Sequence, residues 1–92
     1  MRKNIASVID AFHARETYQD KTCRTDGGVV YSYALPIAAH RGQRVVVLDP
    51  AESPSRTTTS QIRAVLAALP GSQTVSQAQM DAYLREDFHA DG

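Results

Sequence analysis

The chain has 92 residues, with ten Lys+Arg against ten Asp+Glu, three His, a formal net charge of zero and a pI near 6.8, enough for one domain and too short for two. Zero net charge supplies no global electrostatic attraction for nucleic acid or an anionic membrane. The longest aliphatic run, Val45 to Leu48, falls far short of the roughly 18 apolar residues of a membrane span.

The N-terminus, Met1-Arg2-Lys3-Asn4-Ile5, carries charge but no apolar signal region behind it, because Ser7, Asp10, His13 and Arg15 interrupt. Ile5, Val8, Ile9 and Phe12 then fall at i, i+3, i+4 and i+7, which predicts a helix over about 4–16 with Asn4 as its N-cap. From Thr22 to Asp49 the period changes to two. A short strand, 21–25, leads through the turn dipeptide Asp26-Gly27 into a long strand. On it Val29, Tyr31, Tyr33, Leu35 and Ile37 share one face, with a bend or bulge expected at Pro36. Arg41-Gly42-Gln43 turns the chain into a third strand, 44–48.

A loop with Pro50 and Pro54 follows. Thr58 and Gln61 match a capping box ahead of a helix bearing Ile62, Val65, Leu66 and Leu69, which Pro70-Gly71 ends. Ser76 and Gln79 form a second capping box for a last helix over about 77–88, presenting Met80, Tyr83, Leu84 and Phe88, with a frayed end from His89. The expected fold is α+β, a single small domain over 1–92 in the order α-β-β-β-α-α. Its three-stranded antiparallel meander carries the helices packed on one face. Leu, Ile, Val and Phe total nineteen, and a domain of this size buries only about 60 to 65 % of its unfolded surface, so the core is small.

Two stretches, Ser32-Tyr33-Ala34-Leu35-Pro36-Ile37-Ala38 and Ser55-Arg56-Thr57-Thr58-Thr59-Ser60-Gln61, resemble a small uncharacterised family found in phages and other mobile elements. There a Ser-Tyr-x-x-Pro-Ile-Ala strand precedes a Ser-x-Thr-Thr-Ser helix entry. The resemblance covers roughly residues 22–69. Ser32, Tyr33, Pro36, Ile37 and Ala38 match the first motif; Thr58, Thr59 and Ser60 match the second. Family members often carry His after the helix entry, where this chain has Gln61. The resemblance implies a phage or mobile-element accessory protein and carries over no catalytic residue.

No catalytic constellation stands out. Cys23, the single cysteine, forms no internal disulfide and no thiolate metal site by itself, which fits a reducing cytoplasm. His13, His40, His89 and Cys23 lack metal-ligand spacing, and Asp49 with Glu52 reads as turn chemistry rather than an acid–base pair. The Ser55–Ser60 entry, with Arg56 and Arg63 nearby, has the ingredients of an anion site, although helix capping accounts for it. Tyr31 and Tyr33, two apart on one strand, are placed either to stack bases or to join the core. Residues 44–49 are apolar on both faces of what should be an edge strand, which favours a homodimer or a partner contact through Val46. The charge is also uneven: residues 1–63 hold nine basic and six acidic residues (+3), and 64–92 hold one basic and four acidic (−3).

The expectation is therefore a non-enzymatic, cytoplasmic protein with no cofactor and no membrane contact. It would bind a host protein or protein–nucleic acid complex, with inhibition of a host defence such as CRISPR as a fitting role. The alternative is a small nucleic-acid-binding regulator using its basic turns. The contact candidates are Tyr31 and Tyr33 with Arg24, Arg41 and Arg44 on strand ends and turns, Val46 on the edge, and Arg56 and Arg63 by the helix entry.

Overall fold

The computed structural model describes residues 3–91, with side chains over 5–85. The expected roles of Asn4, Phe88 and His89 lie outside the described side chains. The first helix, α1 (Lys3–His13), forms where the apolar spacing places it. Beyond it Arg15 adopts φ 60°, its N–H donates to the Phe12 carbonyl at 3.1 Å, and the Glu16 N–H donates to Ala11 at 2.7 Å. This is a Schellman ending, which ties up carbonyls that a helix terminus otherwise leaves without partners.

Five strands follow as an antiparallel series: β1 (Tyr18–Gln19), β2 (Cys23–Thr25), β3 (Val29–Ser32), β4 (Leu35–Arg41) and β5 (Arg44–Leu48). A 3₁₀ turn at Pro50–Glu52 leads to α2 (Arg56–Ala68), then β6 (Gln73–Val75) and α3 (Gln77–Asp91). β6 pairs parallel with β5, Val46, Val47 and Leu48 facing Gln73, Thr74 and Val75. The sheet is thus six-stranded and mixed, in the order β1-β2-β3-β4-β5-β6. A parallel neighbour needs a crossover connection, and α2 is that crossover.

The α+β class holds, but the three-stranded meander is overturned. The long strand expected over 29–38 is a hairpin, β3 and β4 joined by Tyr33-Ala34. Period-two alternation runs through the turn without a glycine because Tyr33 itself takes φ 57°. The bulge expected at Pro36 lies beside it: the register shifts between Val30, facing Ala38, and Tyr31, facing Pro36. Ile37 is left without a ladder partner, which moves Leu35 opposite Ser32 and off the Tyr31 face. The β2–β3 connection spans Asp26, Gly27 and Gly28, and Asp26 Oδ1 accepts from the Gly28 and Val29 N–H groups at 2.9 and 3.0 Å.

The helices do not share one face. His40 on β4 points to α1, its Nε2 donating to the Phe12 carbonyl at 2.7 Å and its ring stacked on Phe12 at 4.2 Å. The next residue, Arg41, points the other way and lies over Tyr83 of α3, 4.1 Å from the ring centre. So α1 and α2 cover one face, while α3 crosses β4 and β5 on the other. Strands β4 and β5 are apolar on both faces and need both covers: Ala38, Ala39, Val46, Val47 and Leu48 are all buried. Phe12, Ile62 and Val65 from one layer and Met80 from the other complete the core; full burial of each such side chain contributes about 1.5–3 kcal/mol.

This arrangement removes the edge on which a homodimer through residues 44–49 was expected. β5 lies between β4 and β6, and Val46 is 3 % exposed, so its side chain is core rather than contact surface.

Candidate binding surfaces

The cross-strand register sets Gln19, Arg24, Tyr31 and Pro36 in one row across β1 to β4. The row lies on the α3 side of the sheet, because Tyr31 shares its face with Val29, which pairs with Ala39, the β4 neighbour of Arg41 on that face. The main contacts of α3 among the described residues fall on β4 and β5, and the Arg24 end of the row stays exposed with Tyr31 half-buried. The Arg24 guanidinium lies 4.1 Å from the Tyr31 ring centre, a cation–π stack that presents a flat, charged plate. Tyr33 does not share the Tyr31 face. It sits in the β3–β4 turn, its N–H donating to the Thr22 carbonyl at 2.8 Å, with 58 % of its surface exposed. Among the described residues, Tyr33 and Tyr18 are the exposed large hydrophobic side chains, and both belong to the β1–β3 end.

The remaining candidates scatter. Arg41 is stacked on Tyr83, so one cation of the basic segment rests against the helix of the acidic one. Arg44 is exposed and pairs with Arg41 across the β4–β5 turn. Arg56 and Arg63 are exposed on α2, on the opposite side of the sheet from Arg24. No single surface gathers all the arginines.

The two motif stretches do meet, and they meet in the interior. The Ser32 and Thr58 hydroxyls are hydrogen-bonded at 2.8 Å, both residues 1 % exposed. Ser55 Oγ donates to Thr58 Oγ1 at 3.1 Å and accepts from the Thr58 N–H at 3.2 Å. Ser55, not Thr58, is therefore the N-cap of α2. Thr58 occupies the third helical position, where its side chain points to the sheet. Gln61 cannot reach back to the cap; it is buried, donates Nε2–H to Thr22 Oγ1 at 2.9 Å, and leaves Oε1 without a partner. These hydroxyls dock α2 on the sheet and are not available as an anion cradle. No family model, curated protein or solved structure matches the chain.

Thr58→Val removes a hydroxyl at nearly constant shape and strands buried Ser32 Oγ, so it should cost about 1–3 kcal/mol. Ser32→Ala should cost less, because Thr58 keeps Ser55. Combined, they leave no stranded buried hydroxyl, so urea melts should show the double variant less destabilised than the sum by at least ~0.5 kcal/mol. Strict additivity would mean the pair is not coupled.

The other chemistry-bearing side chains are accounted for by structure. Burial pushes the Cys23 thiol up to about 11, with the Asp20 charge adding to the shift, so it carries little of the reactive thiolate at neutral pH. Asp49 Oδ1 caps the 3₁₀ turn by accepting from Ala51 N–H at 2.9 Å, and Glu52 Oε1 accepts from Gln77 N–H at 3.3 Å, at the start of α3. Ser76 and Gln79 form the expected reciprocal capping box, both bonds 3.1 Å. Among the described residues, no three of His, Cys, Asp and Glu gather with metal-ligand geometry, and no helix is long and apolar enough to cross a membrane.

Proposed function

We propose that the chain is a non-enzymatic binding domain that docks on a host protein or protein–nucleic acid complex through the Arg24–Tyr31 end of its sheet. The observation that carries this reading is the stacked Arg24–Tyr31 pair on the sheet, its Arg24 end exposed. Tyrosine and arginine dominate interface hot spots because each brings large contact area together with directed polar groups. The motif resemblance to phage and mobile-element proteins supports a host complex as the partner, and inhibition of a host defence as the role.

Tyr31→Ala and Arg24→Ala should weaken capture of a defined host complex at least tenfold, about 1.4 kcal/mol each. Their melting temperatures should stay close to that of wild type, since Arg24 is exposed and Tyr31 half-buried. Binding by surface plasmon resonance, read beside a thermal melt, separates the two effects. Equal binding by both variants would refute this surface. Steeply salt-dependent binding to naked DNA or RNA, with no protein captured, would replace it with the nucleic-acid reading.

A further inference from the structure

Helices α1 and α2 pack against each other on the face of the sheet away from α3, and between them runs an open groove of about 420 Å³. Ile5 and Ile9 line it from α1, Ala64, Ala67 and Ala68 from α2, and Asp10 is the charged residue among its lining groups. Ala67 and Ala68 are exposed. Such small side chains keep the surface shallow, and where they meet, another helix can approach at the short end of the usual spacing of roughly 8–10 Å.

The charges beside the groove give a second, independent indication, and they point to one occupant. Asp10 is exposed on α1, and Arg63 is exposed on α2, one turn before Ala67. Among the described residues neither side chain has a hydrogen-bond or ion-pair partner. Their own helices do not supply one: the residues four away are Ala6 and Ala14 for Asp10, and Thr59 and Ala67 for Arg63, and α2 holds no acidic residue. An unpaired acid and an unpaired base therefore flank an apolar groove, each on its own helix. A two-fold interface must be self-complementary, so that if one residue meets a second, the second meets the first. This face meets that requirement. Turning one copy half a turn about an axis along the groove lays α1 of each copy on α2 of the other, and Asp10 comes over the turn of the facing helix that carries Arg63.

A net charge of zero removes the overall repulsion that keeps like-charged copies apart. The size of the face sets the strength. Helices of 11 and 13 residues are roughly 16 and 20 Å long and roughly 10 Å across, so the layer offers about 400 Å² per copy against the roughly 800 Å² of a standard interface. We propose that the α1/α2 face binds a second copy of this chain in a weak two-fold dimer, with a Kd on the order of 0.1 mM, Asp10 of each copy paired with Arg63 of the other. The interior strand that carries Val46 has no part in it. Pairing through α1 and α2 leaves the Arg24 side of both sheets outward, so a dimer presents two copies of the proposed binding surface.

The test is sedimentation velocity of the full chain from about 10 μM to about 2 mM at low ionic strength, where surface charges are least screened. Wild type should pass from monomer to dimer over that range, and on dilution the ¹⁵N–¹H NMR shifts should change at residues 5–14 and 60–68. Asp10→Arg and Arg63→Asp should each weaken self-association at least tenfold, because the two-fold axis applies each reversal twice and sets like charges together. Both residues are exposed, so thermal melts of the two variants should match wild type. An equimolar mixture of the two variants should dimerise as wild type does, since each then offers the charge that the other lacks. The proposal is overturned if wild type is monomeric at about 2 mM, if either variant self-associates like wild type, if the mixture stays monomeric, or if the dilution shifts fall elsewhere. The site shares no residue with the Arg24–Tyr31 surface, so either reading can fail alone.

Discussion

Val46→Lys is expected to unfold the domain rather than to separate a dimer. Val46 lies on an interior strand with Ala39 opposite on one side and Gln73 on the other, 3 % exposed. It shares its sheet face with Ala39, under α3. Lysine there must either bury an unpaired ammonium, at a cost of several kcal/mol, or displace α3 so that the side chain can reach water. The total stability of a chain this long is on the order of 5–14 kcal/mol. A loss of about 3–5 kcal/mol removes much of it and lowers the melting temperature by roughly 15 °C or more. Circular dichroism melts with light scattering read the result: lost cooperativity or a large drop in melting temperature supports a core position. A variant as stable as wild type but monomeric, beside a dimeric wild type, would restore the edge-strand interface.

The same residue shows what the sequence carried and what it concealed. Apolar side chains on both faces of 44–48 are the mark of a strand covered on both sides, and that pattern was legible. What covers it was not. β6 is the three residues Gln73-Thr74-Val75, too short and too polar for a periodic signal, and its pairing with β5 depends on how α2 crosses the sheet. The two-residue β1 is equally silent. The β3–β4 hairpin escaped for a different reason: Tyr33 takes a left-handed conformation that normally advertises itself through glycine or asparagine.

Helices were easier to read, because Ile5, Val8, Ile9 and Phe12 in one and Ile62, Val65 and Leu66 in another hold a 3.6-residue spacing that survives any tertiary arrangement. The candidate residues split along the same line. Ser32 and Thr58 stood out as motif residues, yet their mutual bond spans 26 positions and no local pattern encodes it. Asp10 carried no pattern at all. Only the packing of α1 beside α2 sets it on one face with Arg63.

Gly27→Ala should be the second most damaging change. Gly27 is buried in the β2–β3 connection at φ +96°. A β-carbon there would lie 2.8 Å from the Arg15 carbonyl oxygen and 3.0 Å from its carbon. Both are backbone atoms in the Schellman ending of α1, whose own hydrogen bonds hold them in place, so they cannot swing aside as a side-chain tip would. The conformational strain contributes about 1 kcal/mol or more, and the displaced helix end adds to it. The expected loss is about 2–4 kcal/mol, a fall in melting temperature of roughly 10–20 °C for a domain of this size. Gly42→Ala is the matched control. Gly42 has φ +65° but nothing within 4 Å of an added β-carbon, so it should lose only about 1 kcal/mol. The difference between the two melts isolates the contact between the β2–β3 turn and the end of α1. Equal losses would show that backbone conformation alone accounts for Gly27, and that this contact adds nothing to the docking of α1.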